Sequence, residues 1–432
     1  MCRVACAVVC CLVLCAPASL LAPASAADAV SEWSVQIVQP TAGTTLSAVA
    51  RVSVCARPSE QAPDRLFVGL EGGPWVDMKP GLGRGQWVAD LDTTLVPNGK
   101  VRLSCVGLAS WSKKPKAKAD LIVGVNNPLH HYFGDIHAHS SYSDGVLLPH
   151  DAYAYARDVS KLDFFCLTDH MELVTEAEWA DMRKEAWAAN QEGRFVTLEG
   201  LEWTKKEGHA CVYEGAGRLL PPDIAGFYDT VSRQGALGMF NHPGQGDTVW
   251  NGLAFDLFAD QVMQLMEVRT DDELTAYVRA LKAGWHLAAA GTDDTHGPDW
   301  GAGFAWTGIV APSLTRTNVM WALRERHCYM TRDRNCRLLF TANGTPMGTI
   351  IAEPVEHLSL TVSVEDPDAT DGIASIELYE DGMVVASTTP EGPKCEWTSR
   401  PTPSRGSHFY FVRVKQKDDD ALVSAPVWVT VR

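Results

Sequence analysis

The sequence predicts an α/β protein in which a β/α barrel is flanked by two β-sandwich regions. Its 432 residues exceed one ordinary domain of about 100–200 residues. In the middle of the chain, short apolar runs alternate with stretches of helix-forming residues, whereas both flanks carry short β-type runs separated by proline, glycine and asparagine. Alternating strands and helices predict a parallel sheet, and closely spaced short strands predict antiparallel sandwiches.

These changes of pattern divide the chain into four segments. We expect a signal peptide at residues 1–26, an N-terminal β-sandwich at 27–127, the barrel at 128–335 and a C-terminal β-sandwich at 336–432. Cys55 and Cys105 both lie in strand-like runs of the N-terminal region, and they could pair across its two sheets. There is no Cys-x-x-Cys pair in the sequence, which disfavours a cysteine zinc site.

The first residues have the pattern of a targeting segment. Arg3 gives a positive start, an apolar run extends from Val4 to Leu21, and Ala24-Ser25-Ala26 is an A-x-A cleavage pattern. We expect cleavage after this pattern and a periplasmic or secreted mature protein with no integral membrane segment. The alternatives are an uncleaved membrane anchor and a lipoprotein modified at Cys15.

The charge balance restricts the class of partner. The net charge is −16 and the isoelectric point is about 5.2. This balance argues against a nucleic-acid-binding protein, because such proteins need a basic face to meet phosphates. A metal site could still bind an anionic small-molecule substrate locally, because the ions dominate the field there. The sequence does not indicate an oligomeric state.

Histidines are concentrated in the predicted barrel. None of the 13 precedes His130, and eleven lie between His130 and His327. His137 and His139 are two residues apart in a strand-like run, and alternate residues of a strand face the same side. Both imidazoles could therefore reach one ion, with Asp144 in the loop that follows. An ordinary buried pair of histidines is the alternative.

Four further predicted strands also end in residues of metal-ligand type. The segments are Thr168-Asp169-His170, Glu199-Gly200-Leu201-Glu202, Asn241-His242-Pro243-Gly244 and Asp293-Asp294-Thr295-His296. Barrels of this class place their active sites at the carboxyl ends of their strands. The set is mixed imidazole and carboxylate, and it is larger than one ion needs. We therefore expect two or three divalent transition-metal ions, which would be Zn, Mn or Fe.

Taken together, these motifs resemble the PHP (polymerase and histidinol phosphatase) family. Asp-x-His-x-His followed by Ser-Asp-Gly, then Thr-Asp-His, Gly-x-Glu, His-Pro-Gly and Asp-x-His occur here in the order of that family. The exported context and the C-terminal runs Tyr410–Val414 and Pro426–Val429 look like its CehA/McbA-type branch. The resemblance implies a distorted (β/α)7 TIM-like barrel and phosphoester hydrolysis, and this branch also includes carbamate hydrolysis.

The resemblance also implies a role for nine residues as metal ligands. The first ion would be held by His137, His139 and Asp294, the second by His209 and His242 with Glu202 as the bridge, and the third by Asp144, His170 and His296. Glu199 is the alternative to Glu202 as the bridging carboxylate. His209 rests on the shortest of the motifs.

Two residues are candidates for a further catalytic role. Asp169 could orient a ligand or shuttle protons, or it could cap the helix that follows. Arg269 could bind a substrate anion, or it could form a structural ion pair. Glu267 is a candidate for a residue that orients a ligand from behind. The remaining histidines of the barrel match no motif and are interpreted as non-ligands: His130, His131, His150, His286 and His327.

We therefore expect an exported, metal-dependent hydrolase of ester bonds. The foremost expectation is a phosphoesterase for phosphomonoesters or phosphodiesters, with a metal-bound hydroxide as the nucleophile. A carbamate or carboxylic ester hydrolase on the same site is the first alternative. The second is a non-catalytic glycan- or surface-binding protein in which the metals are structural.

Overall fold

The computed structural model describes residues 34–57, 63–109, 114–215, 217–218, 220–244, 250–368 and 371–432. The predicted signal peptide and its cleavage site lie outside these ranges. Among the residues that are described, no helix is long and apolar enough to cross a bilayer.

The N-terminal region is built from two sheets. Its strands are β1 (Ser34–Gln39), β2 (Thr45–Leu46), β3 (Val49–Arg57), β4 (Arg65–Leu70), β5 (Val76–Asp77), β6 (Lys79–Pro80), β7 (Gln86–Asp92), β8 (Gly99–Leu108) and β9 (Ala117–Val125), with a 3-10 turn at Thr93–Leu95. One sheet has the order β1-β3-β7-β6 and the other the order β2-β9-β8-β4-β5. Alternate residues of both sheets, such as Val52 and Leu66, share one apolar core.

Cys55 and Cys105 remain free thiols in these sheets, so the suggested disulfide is not formed. The reason is the side on which Cys55 lies. Its neighbours Val54 and Ala56 are buried in the shared core, which turns Cys55 to the other face of β3. Cys105 points into the core, and burial raises the pKa of its thiol to about 12.

The middle region alternates strands and helices. The elements are β10 (His130–Asp135), α1 (Pro149–Asp158), β11 (Phe164–Leu167), α2 (Glu176–Ala189), β12 (Val196–Lys205), β13 (Gly208–Tyr213), α3 (Ile224–Gln234), β14 (Leu237–Asn241), the single turn α4 (Trp250–Leu253), a 3-10 turn (Ala259–Gln261), β15 (Met263–Glu267), α5 (Asp271–Ala283), β16 (Ala288–Ala290), β17 (Trp306–Ala311), α6 (Arg316–Arg324) and β18 (Cys328–Thr331).

Local signals account for the limits of the main helices. Thr175 and Thr270 accept backbone N–H groups at the starts of α2 and α5, and Glu178 and Glu273 complete both capping boxes. Helix α5 ends at Gly284, which adopts the left-handed conformation (φ 114°) that glycine tolerates best.

The strands of the middle region form a curled, mixed sheet. Strands β10, β11 and β12 are parallel, β14, β15 and β16 are parallel, and β13 runs antiparallel between the two sets. Just beyond β10 and β16, Ala138 and Thr295 form a parallel bridge that brings the two ends of this run of strands together. The β12–β13 hairpin interrupts the alternation of strand and helix, and the seven-unit barrel stays a prediction.

Alternation along the strands separates the inside of the curl from the outside. In β11, Phe164 and Cys166 belong to the inner core, whereas Phe165 and Leu167 pack towards helices α1 and α2. Cys166 is fully buried, as its apolar context predicts. The carboxyl ends of six strands and the start of β13 thus meet at one edge of the sheet.

The C-terminal region is all β. Its strands are β19 (Arg337–Ala342), β20 (Thr345–Pro346), β21 (Leu360–Glu365), β22 (Ile373–Glu380), β23 (Met383–Thr388), β24 (Lys394–Ser399), β25 (Gly406–Gln416), β26 (Ala421–Ser424) and β27 (Val427–Val431). Strands β20-β19-β21-β24 form a separate sheet, but β18 pairs with β26, so the central sheet continues into this region as 14 strands. The predicted division at 335/336 falls between β18 and β19.

Candidate metal centre

Two histidines leave β10 at the edge where the strand ends meet. The Nε2 atoms of His137 and His139 lie 3.3 Å apart, and both side chains are fully buried. The backbone of this segment is fixed by hydrogen bonds to the segment after β16, including His139 N–H to Thr295 O at 2.9 Å. The two imidazoles therefore converge on one point, as their spacing predicts.

Asp294 reaches the same point from the end of β16. Its Oδ1 lies 3.2 Å from Nε2 of His137 and 3.1 Å from Nε2 of His139. The backbone of Asp294 is left-handed (φ 55°), and its N–H donates to the carbonyl of His137 at 2.9 Å. A non-glycine residue held in this region of φ indicates a local constraint, which here aims the carboxylate at the two histidines.

Glu202 lies at the centre of the cluster. Its carboxylate is 1% exposed. One oxygen, Oε1, lies 3.3 Å from Nδ1 of His209 and 3.7 Å from Nε2 of His242, and Oε2 lies 2.8 Å from Nδ1 of His170. The competing carboxylate, Glu199, faces elsewhere. The structure therefore brings Glu202, and not Glu199, among the histidines.

Glu199 belongs to a separate polar group near α2. Its oxygens accept hydrogen bonds from Nε of Arg183 at 2.6 Å and from Nε1 of Trp187 at 2.5 Å. Arg316 also approaches it, at 3.5 Å. These contacts use both carboxylate oxygens, which leaves Glu199 as a structural residue.

A third group of ligand atoms lies on the solvent side. Oδ1 of Asp144 is 3.1 Å from Nε2 of His296, and Oδ2 is 3.4 Å from Nε2 of His170. The side chains of Asp144 and His296 are 48% and 40% exposed, in contrast to the buried His137 and His139. The cluster is thus closed on the side of His137 and open on the side of Asp144.

Three overlapping groups can each hold an ion, because their ligand atoms lie within 4.8 Å of one another. The groups are His137, His139 and Glu202; Glu202, His209 and His242; and His139, Asp144, His170 and His296. Two members, His139 and Glu202, are shared between groups. With Asp294, all nine residues predicted as ligands lie in this one cluster.

A buried carboxylate supports the cluster from behind. Oε1 of Glu267, at the end of β15, lies 2.6 Å from Nδ1 of His137 and accepts a hydrogen bond from Oγ1 of Thr292 at 2.5 Å. Its Oε2 accepts the N–H of His242 at 2.5 Å. Glu267 thereby joins the ends of β10, β14 and β16. With Nδ1 of His137 engaged, Nε2 faces the cluster.

Electrostatic coupling governs the protonation of the cluster. Burial disfavours the charged form of His137, but the neighbouring carboxylates, Asp294 foremost, hold its pKa well above the ordinary value. Burial acts to raise the pKa of Glu202, yet His137 foremost holds it well below the usual range. Burial lowers the pKa of His139, which lies beside the charged His137.

The residues present fit divalent transition-metal ions. Oε2 of Glu202 is buried, and no described residue gives it a hydrogen bond of good geometry. The nearby Nδ1 of His170 lies closer to Oγ1 of Thr204, at 2.6 Å. Such a lone acceptor among imidazole nitrogens is a position for a cation. The nitrogen and oxygen donors suit Zn, Mn or Fe.

Asp169 contacts the ligand loop rather than the cluster. Its Oδ1 accepts hydrogen bonds from the N–H of Ser140 at 2.8 Å and from Oγ of Ser143 at 2.6 Å, and its Oδ2 accepts one from Oγ of Ser140 at 2.8 Å. Both oxygens of Asp169 are thus occupied by the loop between His139 and Asp144. These contacts fit a positioning role for Asp169.

Arg269 forms an ion pair. Its Nη2 lies 2.9 Å from Oε1 of Glu273, the capping residue of α5, and 3.6 Å from Oε2 of Glu267. The side chain of Arg269 is 12% exposed. Burial opposes the charge of the guanidinium, but Glu267 foremost raises its pKa. Of the two interpretations offered by the sequence, the geometry favours the structural one.

Sequence reasoning did not single out two polar residues of the cluster. Nδ2 of Asn241 donates to Oε1 of Glu202 at 2.7 Å, and Oγ1 of Thr204 contacts His170. A signal for Asn241 was available, because it ends β14 directly before His242 in the Asn-His-Pro-Gly motif. For Thr204 there was none, since its contact depends on how β12 lies beside the segment after β11.

The histidines interpreted as non-ligands lie outside the three groups. His131 contacts the hydroxyl of Tyr329, His286 pairs with Asp260, and His327 contacts the carbonyl of Met347. His150 lies on the exposed side of α1. Each of these four histidines thus has a partner outside the cluster.

Comparisons with known proteins give distant likenesses. No model of a known protein family matches the chain. It is 21% identical over 361 residues to an uncharacterized protein of Chlamydia pneumoniae, which covers 69% of this chain and 57% of that protein. An uncharacterized protein of Chlamydia trachomatis is 24% identical over 142 residues, or 28% of this chain and 22% of that protein. The chain thus spans 57% and 22% of these relatives' lengths.

Among solved structures, the chain is similar to a two-domain protein of Bacteroides vulgatus that contains a predicted PHP-like metal-dependent phosphoesterase. The identity is 16%, the match covers 70% of this chain and 96% of that chain, and the TM-score is 0.42. An endo-β-1,4-mannanase of Thermotoga petrophila is 22% identical over 23% of this chain and 21% of that chain, with a TM-score of 0.20. At these values the likenesses identify neither a family nor a reaction.

Proposed function

We propose that this chain is a metal-dependent hydrolase that cleaves phosphomonoesters or phosphodiesters at the cluster described above. One observation carries the proposal, namely the three groups of ligand atoms that overlap at His139 and Glu202. Overlapping groups hold ions close together, and multinuclear sites of this kind serve the transfer of phosphoryl groups to water. We propose two or three Zn, Mn or Fe ions as the resident metals.

The proposal extends to the fold and the location. We propose that the curled sheet from β10 to β16 is a distorted (β/α)7 barrel of the PHP type, in the CehA/McbA-type branch. The order of the motifs from Asp135 to His296 supports it. We also propose that the chain is exported, on the strength of the apolar run and the A-x-A pattern at residues 1–26.

The chain's own residues would bind and orient. When bound, the ions would act as Lewis acids and stabilise charge that develops on the phosphoryl oxygens. Glu267 holds His137 with its Nε2 towards the cluster, and Asp169 holds the loop that carries Asp144. The exposed Asp144 and His296 mark the side from which a substrate reaches the cluster.

The test is turnover of defined substrates by purified protein loaded with Zn²⁺, Mn²⁺ or Fe²⁺. We expect hydrolysis of at least one phosphomonoester or phosphodiester, with a loss of about 10²-fold or more in the variants His137→Ala and Glu202→Gln. His150→Ala is the matched control, because this exposed histidine lies on α1 and outside the three groups. The proposal fails if no phosphoester in a broad panel is turned over with any of these metals.

The same panel separates phosphoesters from other esters. It includes aryl carbamates and carboxylic esters with the same leaving groups as the phosphates. Hydrolysis of these carbonyl substrates well above that of the matched phosphates, with the same sensitivity to His137→Ala, would replace the phosphoesterase proposal with a carbamate or carboxylic ester hydrolase.

A further inference from the structure

A second cluster of possible cation ligands lies far along the chain from the first. Asp333, Asp366 and Asp371 have carboxylate oxygens within 4.8 Å of one another. They come from different segments, since Asp333 follows β18 and the other two lie between β21 and β22. The three residues share no strand or helix, so their convergence is a property of the tertiary structure.

Each of the three carboxylates is oriented in the same way. Oδ1 of Asp333 accepts the N–H of Asn335 at 2.9 Å, Oδ1 of Asp366 accepts the N–H of Asp368 at 2.8 Å, and Oδ1 of Asp371 accepts the N–H of Gly372 at 2.8 Å. In every case the other oxygen, Oδ2, is directed at the same point. Three negative charges are therefore brought together by the backbone.

The side chain at this point is Gln416, the last residue of β25. Its Nε2 lies 2.9 Å from Oδ2 of Asp333, 3.0 Å from Oδ2 of Asp366 and 3.2 Å from Oδ2 of Asp371. An amide nitrogen has two hydrogens, so it cannot satisfy three carboxylates. Among the described residues, no lysine or arginine forms an ion pair with any of the three carboxylates to offset their charge.

The amide oxygen of Gln416 gives an independent indication of a ligand. The residue is 2% exposed, and its Oε1 is buried with no hydrogen-bond partner. A half-turn of the terminal amide exchanges the oxygen and the nitrogen at almost no change in shape. The same half-turn would place Oε1 beside the three Oδ2 atoms. Four protein oxygens would then lie around one point, which is about half of the coordination shell of a large hard cation, and water would supply the rest.

We infer that Asp333, Asp366, Asp371 and the amide oxygen of Gln416 form a Ca²⁺ site, separate from the transition-metal centre. The donors are all oxygens, three of them carboxylates, which is the chemistry that Ca²⁺ prefers and imidazole-rich sites do not offer. Ca²⁺ also accepts irregular ligand arrangements, as expected for ligands from two loops and the end of a strand, whereas Mg²⁺ demands near-octahedral geometry.

The site braces the junction between the α/β region and the C-terminal β region. Asp333 lies in the segment that links β18 to β19, and the neighbouring Arg332 donates its Nη2 to the carbonyl of Arg269 at 2.5 Å. Arg269 follows β15, whose last residue is Glu267. The ion would therefore link the segment between β18 and β19 to the end of β25. Through the contact of Arg332 with Arg269 it would also stabilise the segment that follows Glu267.

The experiment is calorimetric titration of Ca²⁺ into the full chain after treatment with EGTA, together with thermal unfolding. We expect one Ca²⁺ per chain with a Kd of about 10⁻⁶–10⁻³ M, and a melting temperature higher by about 5 °C at saturating Ca²⁺. The variant Asp366→Asn should weaken Ca²⁺ binding about tenfold or more and remove the thermal shift. Asp419→Asn is the matched control, because Asp419 is exposed in the neighbouring acidic turn.

Two further variants test which site binds the ion and whether the amide of Gln416 contributes to it. His137→Ala should bind Ca²⁺ as the wild type does, since the site does not use the histidine cluster; loss of Ca²⁺ binding in this variant would assign the ion to that cluster instead. Gln416→Leu removes the amide oxygen and should also weaken binding, which covers a failure of Asp366→Asn to fold. The inference is overturned if the wild type takes up no Ca²⁺, or if both Asp366→Asn and Gln416→Leu bind it with unchanged affinity.

Discussion

The carboxylate of Glu267 lies 2.6 Å from Nδ1 of His137, and both side chains are fully buried. Glu267 is the last residue of β15 and His137 lies just beyond β10, so the contact joins two strands that are not adjacent in the sheet. Because Nδ1 is engaged, the imidazole presents Nε2 to Asp294 and Glu202. The orientation of the innermost histidine is thus set by a residue that lies behind it and outside the three ligand groups.

Removing the charge of Glu267 should weaken metal binding without removing a ligand. We expect Glu267→Gln to lower the affinity for Zn²⁺ or Mn²⁺ about 10–100-fold, as for other carboxylates that orient a metal-bound histidine. Competition with a chromophoric chelator measures this change. Glu199→Gln is the control, because Glu199 bonds to Arg183 and Trp187 away from the cluster. Equal affinity in the Glu267 and Glu199 variants would show that Glu267 has no orienting role.

Asp169→Asn should loosen the loop that carries Asp144. An amide cannot accept all the hydrogen bonds that Ser140 and Ser143 donate, so we expect a loss of about 2–3 kcal/mol in stability. We also expect the ion held by His139, Asp144, His170 and His296 to be lost before the other ions, because Asp144 lies on this loop. Chemical denaturation and metal content per chain measure the two effects.

The control for this variant is Asp181→Asn. Asp181 contacts the same loop through one hydrogen bond from the hydroxyl of Tyr142, at 2.8 Å. If Asp169→Asn keeps its full metal content and loses activity through a changed pH profile, Asp169 acts on protons and the positioning role is wrong.

Arg269→Met should affect stability more than ligand binding. Removing one partner of a largely buried ion pair destabilises a protein by about 3–5 kcal/mol. Arg233→Met, which breaks an exposed pair with Asp229, should cost less than about 1 kcal/mol. Phosphate inhibition of the metal-loaded enzyme should be unchanged in Arg269→Met. A large loss of phosphate affinity at unchanged stability would instead make Arg269 an anion-binding residue.

The stability of the folded chain should fall in mild acid partly because of His131. Burial foremost lowers the pKa of His131 to about 4, from 6.5, where its ring contacts the hydroxyl of Tyr329. Between pH 6.5 and 4 the unfolded chain therefore binds a proton that the folded chain does not, so stability decreases as the pH falls through this window. We expect the melting temperature of His131→Asn to drop less between pH 6.5 and 4.5 than that of the wild type.

Comparison with His130→Asn isolates this effect. His130 is the exposed neighbour of His131 in the same strand. An acid-induced drop in melting temperature that is the same for His131→Asn, His130→Asn and the wild type would contradict the assignment to His131.

The convergence of the cluster could be predicted because its signals are local. His137, Asp294 and Glu202 each lie within or shortly after a strand-like run, and the carboxyl ends of parallel strands meet at one edge. The sequence suggested that Glu267 orients a ligand, but it did not indicate which one. That contact depends on the position of β15 beside β14 and on the positions of the ends of β10 and β16. The order in which strands lie side by side in a sheet cannot be predicted from any single segment of the sequence.

Other features of the structure could not be predicted from local sequence patterns, because they depend on strand register or on pairing between distant segments. The side of β3 on which Cys55 lies is decided by a register of one residue, and a shift by one reverses every side chain. The passage of the central sheet from β18 into β26 depends on pairing between distant segments, such as Tyr329 with Ser424. Gln416 and the three aspartates likewise meet only in the folded chain.

The measurement that tests the account most directly is the metal content of the purified wild type and of His137→Ala and Asp294→Ala. Elemental analysis should find about two or three transition-metal ions per wild-type chain, and fewer in both variants, because each removes a donor from the buried part of the cluster. A wild-type chain that holds no metal, even after reconstitution with Zn²⁺ and Mn²⁺, would contradict the proposed metal centre and leave a binding protein as the better interpretation.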